Sequence, residues 1–174
     1  MLTRIVLLMS LFVSCSVLSV SAADLKIGYI DLQKALNQSE AGKAAKDKIA
    51  QRVKDHEATI DARQKELKKI KDDLDKQGLL LSEDARAAKE RDYQQKLKEF
   101  QRLTKDAQEE VQQKDSDFTR QILEEMSKVI QEFGAREGYS MILEKTESAV
   151  LYADDKSDLT ERVIKAYDAT RGKK

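Results

Sequence analysis

The sequence predicts a mostly α-helical α+β protein: a small β body, serving as an oligomerisation base, from which a long antiparallel coiled-coil hairpin projects. Three observations predict it. From Lys43 to Phe133 the chain has no proline and a single glycine, Gly78. On both sides of that glycine, apolar residues recur in alternating steps of four and three, the seam spacing of supercoiled helices. Outside this run the pattern changes to short alternating stretches punctuated by glycine, which read as strands.

Taken in order, the chain opens with Arg4, an apolar stretch from Ile5 to Val13, and small residues through Ser21, Ala22 and Ala23. This is too short to span a bilayer and ends as a secretory leader ends, so residues 1–22 read as a signal peptide cleaved before Ala23 or Asp24. A competing reading makes Phe12, Val13, Ser14 and Cys15 a lipoprotein cleavage site. Phenylalanine in the usual leucine position, and an apolar run that continues to Val20, weigh against it. Cys15 is the only cysteine, so a processed chain has no thiol, disulfide or cysteine metal site.

After the leader, Leu25, Ile27 and Tyr29 alternate with Lys26 and Gly28 before Ile30, as in a short strand. Asp31 can cap a short helix carrying Leu32, Ala35 and Leu36, and Asn37, Ser39 and Gly42 mark a bend. The first arm has the seam Ile49, Val53, His56, Ile60, Arg63, Leu67, Ile70 and Leu74. Gly78 suits a left-handed position past its end, and Ser82 can cap the second arm, with Glu83 and Asp84 in its first turn.

The second seam runs Tyr93, Leu97, Phe100, Thr104, Ala107, Val111, Lys114 and Phe118, then Ile122, Met126, Val129 and Phe133. Two consecutive steps of four around Phe118 break the heptad, and such a stutter predicts divergence from the partner helix near Phe118 to Ile122. Gly134 and Gly138 supply stop signals, and Tyr139 to Lys145 and Ala149 to Ala153 read as two strands joined by Thr146, Glu147 and Ser148. Asp158 and Glu161 have capping-box spacing ahead of a terminal helix with Val163, Ile164 and Tyr167. The expected organisation is a leader at 1–22, a base from 23–42 and 134–174, and an arm over 43–133 with its tip near 78–82.

The base contributes only about a dozen core side chains, and units so small are commonly completed by oligomerisation. Strand edges would pair with neighbouring subunits. Ile27, Tyr29, Ile142, Val150 and Tyr152 are the expected oligomerisation residues; Leu36, Leu143, Val163 and Ile164 complete the expected core. Charged residues make up 37 % of the chain and are balanced, 32 basic against 32 acidic, so the leaderless chain is near neutral. A nucleic-acid binder would carry a basic stripe instead. The six glycines are far apart, with no Gly-Lys-Ser or Gly-Lys-Thr, so no nucleotide cofactor is expected. Asp72, Asp73 and Asp75 have no histidine, serine or cysteine arranged around them, and no enzyme activity is expected.

The run from Lys26 to Leu36 (Lys-Ile-Gly-Tyr-Ile-Asp-Leu-Gln-Lys-Ala-Leu), then Ser39-Glu40-Ala41-Gly42-Lys43, and Ala149 to Asp155 before the Asp158-Leu159-Thr160 helix start closely resemble the Skp (OmpH-like) periplasmic chaperones. The resemblance covers the whole processed chain in order. It implies a homotrimer with a β-barrel-like body, and three helical arms around a cavity that holds unfolded outer-membrane proteins in the periplasm. Familiar members are markedly basic, so this neutral chain is expected to touch membrane surfaces weakly at most, and no lipopolysaccharide-binding residues are carried over.

Such clients have strands alternating lipid-facing and lumen-facing side chains and aggregate in water, and arms with exposed apolar groups could retain them through many weak contacts. Release would follow client folding rather than ATP hydrolysis. Leu79, Leu80 and Leu81 at the tip are candidate client contacts, with packing inside the turn as the alternative. His56 reads as a half-buried polar seam residue, and Arg63 and Lys114 as seam residues whose stems pack while their charges reach out. A secreted structural scaffold of the envelope is the competing function. A cytosolic prefoldin-like hairpin is disfavoured by the leader.

Overall fold

A computed structural model describes residues 25–77 and 80–172. The leader with Cys15 and the cleavage position, and Gly78 and Leu79 at the tip, lie outside the described residues. The elements are β1 (Ile27–Ile30), α1 (Leu32–Gln38), α2 (Glu40–Gln77), α3 (Glu83–Glu137), β2 (Met141–Glu144), a single 3-10 turn (Asp155–Ser157) and α4 (Thr160–Arg171). The mostly helical fold with a hairpin and a small sheet stands as the sequence predicts.

The hairpin is asymmetric. At about 1.5 Å per residue, the 38 residues of α2 span roughly 57 Å and the 55 residues of α3 roughly 83 Å. The extra length of α3 runs into the base. Up to Phe118 its seam faces α2; from Ile122 on, Ile122, Met126, Val129 and Phe133 join Ile30, Ala35, Leu159, Val163, Ile164 and Tyr167 in the main core. The stutter is therefore where the seam changes partner, because a helix cannot keep one stripe on α2 and also turn it toward α4 without shifting phase.

The bend before the arm is set by Ser39, fully buried, whose Oγ accepts from the Gly42 amide at 3.1 Å and donates to the Leu36 carbonyl at 3.2 Å. Gly42 lies inside the first turn of α2 rather than in the bend. A Cβ there would come within 1.7 Å of the Leu36 carbonyl oxygen, so close approach and not flexibility requires the glycine. From α4, Asp168 Oδ1 accepts from the Glu40 amide at 3.0 Å, so the base supplies a cap to the arm helix.

Several local expectations are corrected. Gly134 does not stop α3: it is buried where Ile142 packs on the helix, and the stop is Gly138, left-handed at φ 73°. β2 does not form a hairpin with Ala149 to Ala153. It pairs in parallel with β1, Ile27 opposite Met141 through Ile30 opposite Glu144. Turns follow β2, Ala149 adopts φ 47°, and residues 150–154 run unpaired. The chain returns to the other edge of β1 at Asp158, where the Leu159 amide donates to the Tyr29 carbonyl at 2.9 Å. Both edges of β1 are thus engaged, and 149–153 does not pair with the outer edge of β2 either.

The capping box at α4 is not formed either. Asp158 accepts from the Thr160 amide at 2.9 Å, while Glu161 reaches across to Lys34 at 2.8 Å. Among the residues expected in the core, Val163 and Ile164 are buried, whereas Tyr152 is 89 % and Ile27 41 % exposed, and α3 supplies Ile122, Met126, Val129 and Phe133 to the interior. Among the described residues, no helix is long and apolar enough to cross a membrane.

Candidate functional site

The surfaces available for function are the arm, its tip and the outer face of the base. Along the arm, the two half-buried seams meet with few fully buried members; Leu67 and Ala107 are the buried ones below the stutter. The seam is therefore partly open to solvent, with apolar groups lining grooves on both sides of the helix pair. Across the distal part, Lys96 on α3 reaches Glu66 on α2 at 2.8 Å, and Arg63 joins Glu66 at 2.9 Å. Hydrogen bonds from Lys96 and then Arg63 hold the Glu66 carboxyl below its ordinary pKa, and the same contact raises Lys96.

His56 occupies its seam position half-buried, with Nε2 3.3 Å from Glu110 Oε2 but without a hydrogen bond. Arg52 lies 3.7 Å from the same carboxylate. Arg63 and Lys114 are exposed, as stems packed beside a seam with charges outward require.

At this level the hairpin has two unlike faces. One is lined by Lys48, Arg52 and Lys114, with Asp55, around Phe118, whose ring lies 5.7 Å from the Lys48 ammonium. The other is an apolar groove of about 560 Å³ with Glu57 and Asp115 at its rim. Overall neutrality conceals this sidedness. Summed charge carries no information about which side of a helix a residue occupies, although the wheel positions of Glu57 and Asp115 relative to the seam could have found it.

At the tip, Leu80 is 86 % exposed, Leu81 is half-buried, and Ser82 caps α3 by accepting from the Ala85 amide at 3.4 Å. Leu80 is thus available for contact, and Leu81 is not free in the same way.

The five base residues separate. Ile27 and Tyr29 lie on the outer face of the sheet with Met141, which is opposite Ile27 in register and half exposed. Burial first, then Asp158, raises the Tyr29 phenol pKa. Ile142 is turned inward on Gly134, and Val150 is half-buried. Tyr152 stands out in solvent beside Leu151, which is 99 % exposed. Leu151 was legible only as a strand residue facing away from Tyr152; in an unpaired segment that alternation does not operate, and both project outward. Among the described residues, no group of three or more His, Cys, Asp or Glu side chains is placed to hold a metal.

The base is locked to the arm root by Tyr167, whose hydroxyl donates to Glu125 Oε2 at 2.8 Å while Arg171 reaches both, at 2.9 Å to the hydroxyl and 2.8 Å to the carboxylate. Burial, reinforced by the Glu125 hydrogen bond, pushes the Tyr167 phenol up to about 12. A second clamp joins Arg162 to Glu137 at 2.7 Å, with the guanidinium 4.8 Å from the Phe133 ring. The arm and base therefore meet through a packed, hydrogen-bonded junction.

The architecture is shared with solved proteins. A Caulobacter crescentus protein, described as a candidate outer membrane chaperone (OmpH-like), superposes with a TM-score of 0.77 over 83 % of this chain and 84 % of its own, at 22 % identity. The Skp-like protein of Pseudomonas aeruginosa is 25 % identical over 149 residues, covering 86 % of this chain and 88 % of its own. Residues 26–167 match the family described as outer membrane protein (OmpH-like). That match takes in β1, both arms, β2 and α4 as far as Tyr167, and on it the chain belongs to the OmpH-like family.

Proposed function

We propose that this protein is an ATP-independent periplasmic holdase that binds unfolded outer-membrane β-barrel proteins between its helical arms and keeps them from aggregating. The observation that carries the reading is a long, partly open apolar seam, flanked by dense charge, on an arm fixed to a base that keeps large apolar residues in solvent. Exposed side chains at Ile27, Met141, Leu151 and Tyr152 are costly in a monomer and suit assembly with further copies, in keeping with a homotrimer whose arms enclose a cavity. Family membership supports the chaperone class, and the leader supports export. Client strands of alternating polarity offer an apolar side chain every second residue, so many weak contacts along three arms add up by effective concentration while each remains reversible.

Light scattering of a urea-unfolded outer-membrane protein, diluted with and without this protein, tests the reading. Suppressed scattering for several unrelated barrels, without ATP, is expected. No suppression, together with binding of one folded partner at fixed stoichiometry, would favour the envelope-scaffold alternative.

A further inference from the structure

We propose that the groove on the acidic face of the arm is a binding site for extended polypeptide in which apolar side chains alternate with lysine or arginine. The inference rests on the holdase reading and gives it a site and a client chemistry. The floor is formed by Ile49, Val53 and Ile60 of α2 with Ala107 and Val111 of α3. The four larger floor residues are half-buried, so the trough is shaped by the hairpin yet not filled by it. From Ile49 to Ile60 it runs about 16 Å along the helix, room for roughly five residues of extended chain.

The rim selects the occupant. Gln108 and Gln112 line the groove one turn apart and make no side-chain hydrogen bond among the described residues. Their spacing, about 6 Å along α3, is close to the roughly 6.6 Å over which an extended chain repeats its orientation. Two free amides can therefore meet successive outward peptide groups of a strand whose alternate side chains enter the trough. Glu57 and Asp115, on opposite helices, also line the rim and have no ion-pair partner among the described residues. His56 also lines the groove, its Nε2 3.3 Å from Glu110 without a hydrogen bond, whereas Glu110 itself lies 3.7 Å from Arg52 on the other side of the seam. Two unpaired carboxylates beside an apolar trough favour cationic residues at the polar positions of the strand and repel acidic ones.

The test uses the protein lacking residues 1–22 and two fluorescent ten-residue peptides of identical apolar positions, one with lysine and one with glutamate at the alternate positions. Fluorescence anisotropy at low salt should show the lysine peptide binding about tenfold more tightly, the difference shrinking as salt screens the rim. The double variant E57K/D115K should remove or reverse that preference with unchanged circular dichroism and sedimentation, both sites being exposed. Gln108→Ala with Gln112→Ala should weaken both peptides alike.

Equal affinity for the two peptides, or a preference that survives charge reversal, would overturn the proposal. So would a Gln112→Cys thiol, unique in the processed chain, that is unreactive in the assembled protein, since a second copy would then cover the groove. If aggregation suppression persists while the peptide preference is absent, the groove fails and the holdase reading stands; if the unmodified protein suppresses no aggregation, the holdase reading itself fails.

Discussion

Excising Lys68 to Asp92 and closing the chain with a short glycine-containing turn should separate client holding from assembly. The deletion takes residues 68–77 from α2 and 83–92 from α3, ten from each helix, so the arms stay in step. At about 1.5 Å per residue the hairpin loses roughly 15 Å of the 57 Å spanned by α2. Leu67 and the Lys96 to Glu66 bridge remain to close the new end. Everything that joins arm to base lies at the other extreme: Ser39 and Gly42, the Asp168 cap, and Tyr167 on Glu125. The shortened protein should therefore fold and sediment as the parent does. Because retention by many weak contacts falls faster than their number, roughly tenfold more of it should be needed to suppress scattering of an unfolded barrel. Circular dichroism and sedimentation come first, then scattering. Undiminished protection by the folded, assembled deletion would refute the assignment of client holding to the distal arms.

Gly42→Ala should destabilise by about 1–3 kcal/mol in urea denaturation, since the clash with the Leu36 carbonyl outweighs the helix-propensity gain of alanine; a neutral or stabilising result would show that the bend shifts freely. Tyr152→Glu and Leu151→Glu alter residues that solvent already reaches in the single chain, so each should leave the fold intact yet raise the subunit dissociation constant at least tenfold by about the cost of burying a charge. Sedimentation equilibrium checks it, and unchanged assembly would remove this segment from the interface. Tyr167 should be the last tyrosine to ionise in an absorbance titration: its folded pKa of about 12 exceeds the ordinary 10.0, so its contribution is complete below pH 10 and is lost as pH rises toward 12. Tyr167→Phe should abolish that alkaline loss and cost about 1 kcal/mol at neutral pH.

The hairpin, its phase break and the α1 helix are written in residue spacing, because a helix exposes the same stripe every three or four residues whatever it packs against. Local hydrogen bonding also makes the Ser82 and Asp31 caps legible, each accepting an amide three residues on. The sheet is different. Met141 to Glu144 reads as a strand, but its parallel pairing with Ile27 to Ile30, across more than a hundred residues, depends on where α3 delivers the chain. The same holds for Ala149 to Ala153: its apolar residues have strand character, yet both edges of β1 are engaged, and the turns after β2 with left-handed Ala149 carry the segment away from the β2 edge unpaired. Gly42 reads as a bend and Gly134 as a helix stop, but the structure uses both for close packing, since a missing side chain serves either purpose and only the neighbouring atoms decide. The groove rim lies between the two cases. The positions of Glu57 and Asp115 relative to the seam belong to the sequence, but only the register of α2 on α3 sets them on one groove with His56 and leaves Glu110 beside Arg52 on the other side.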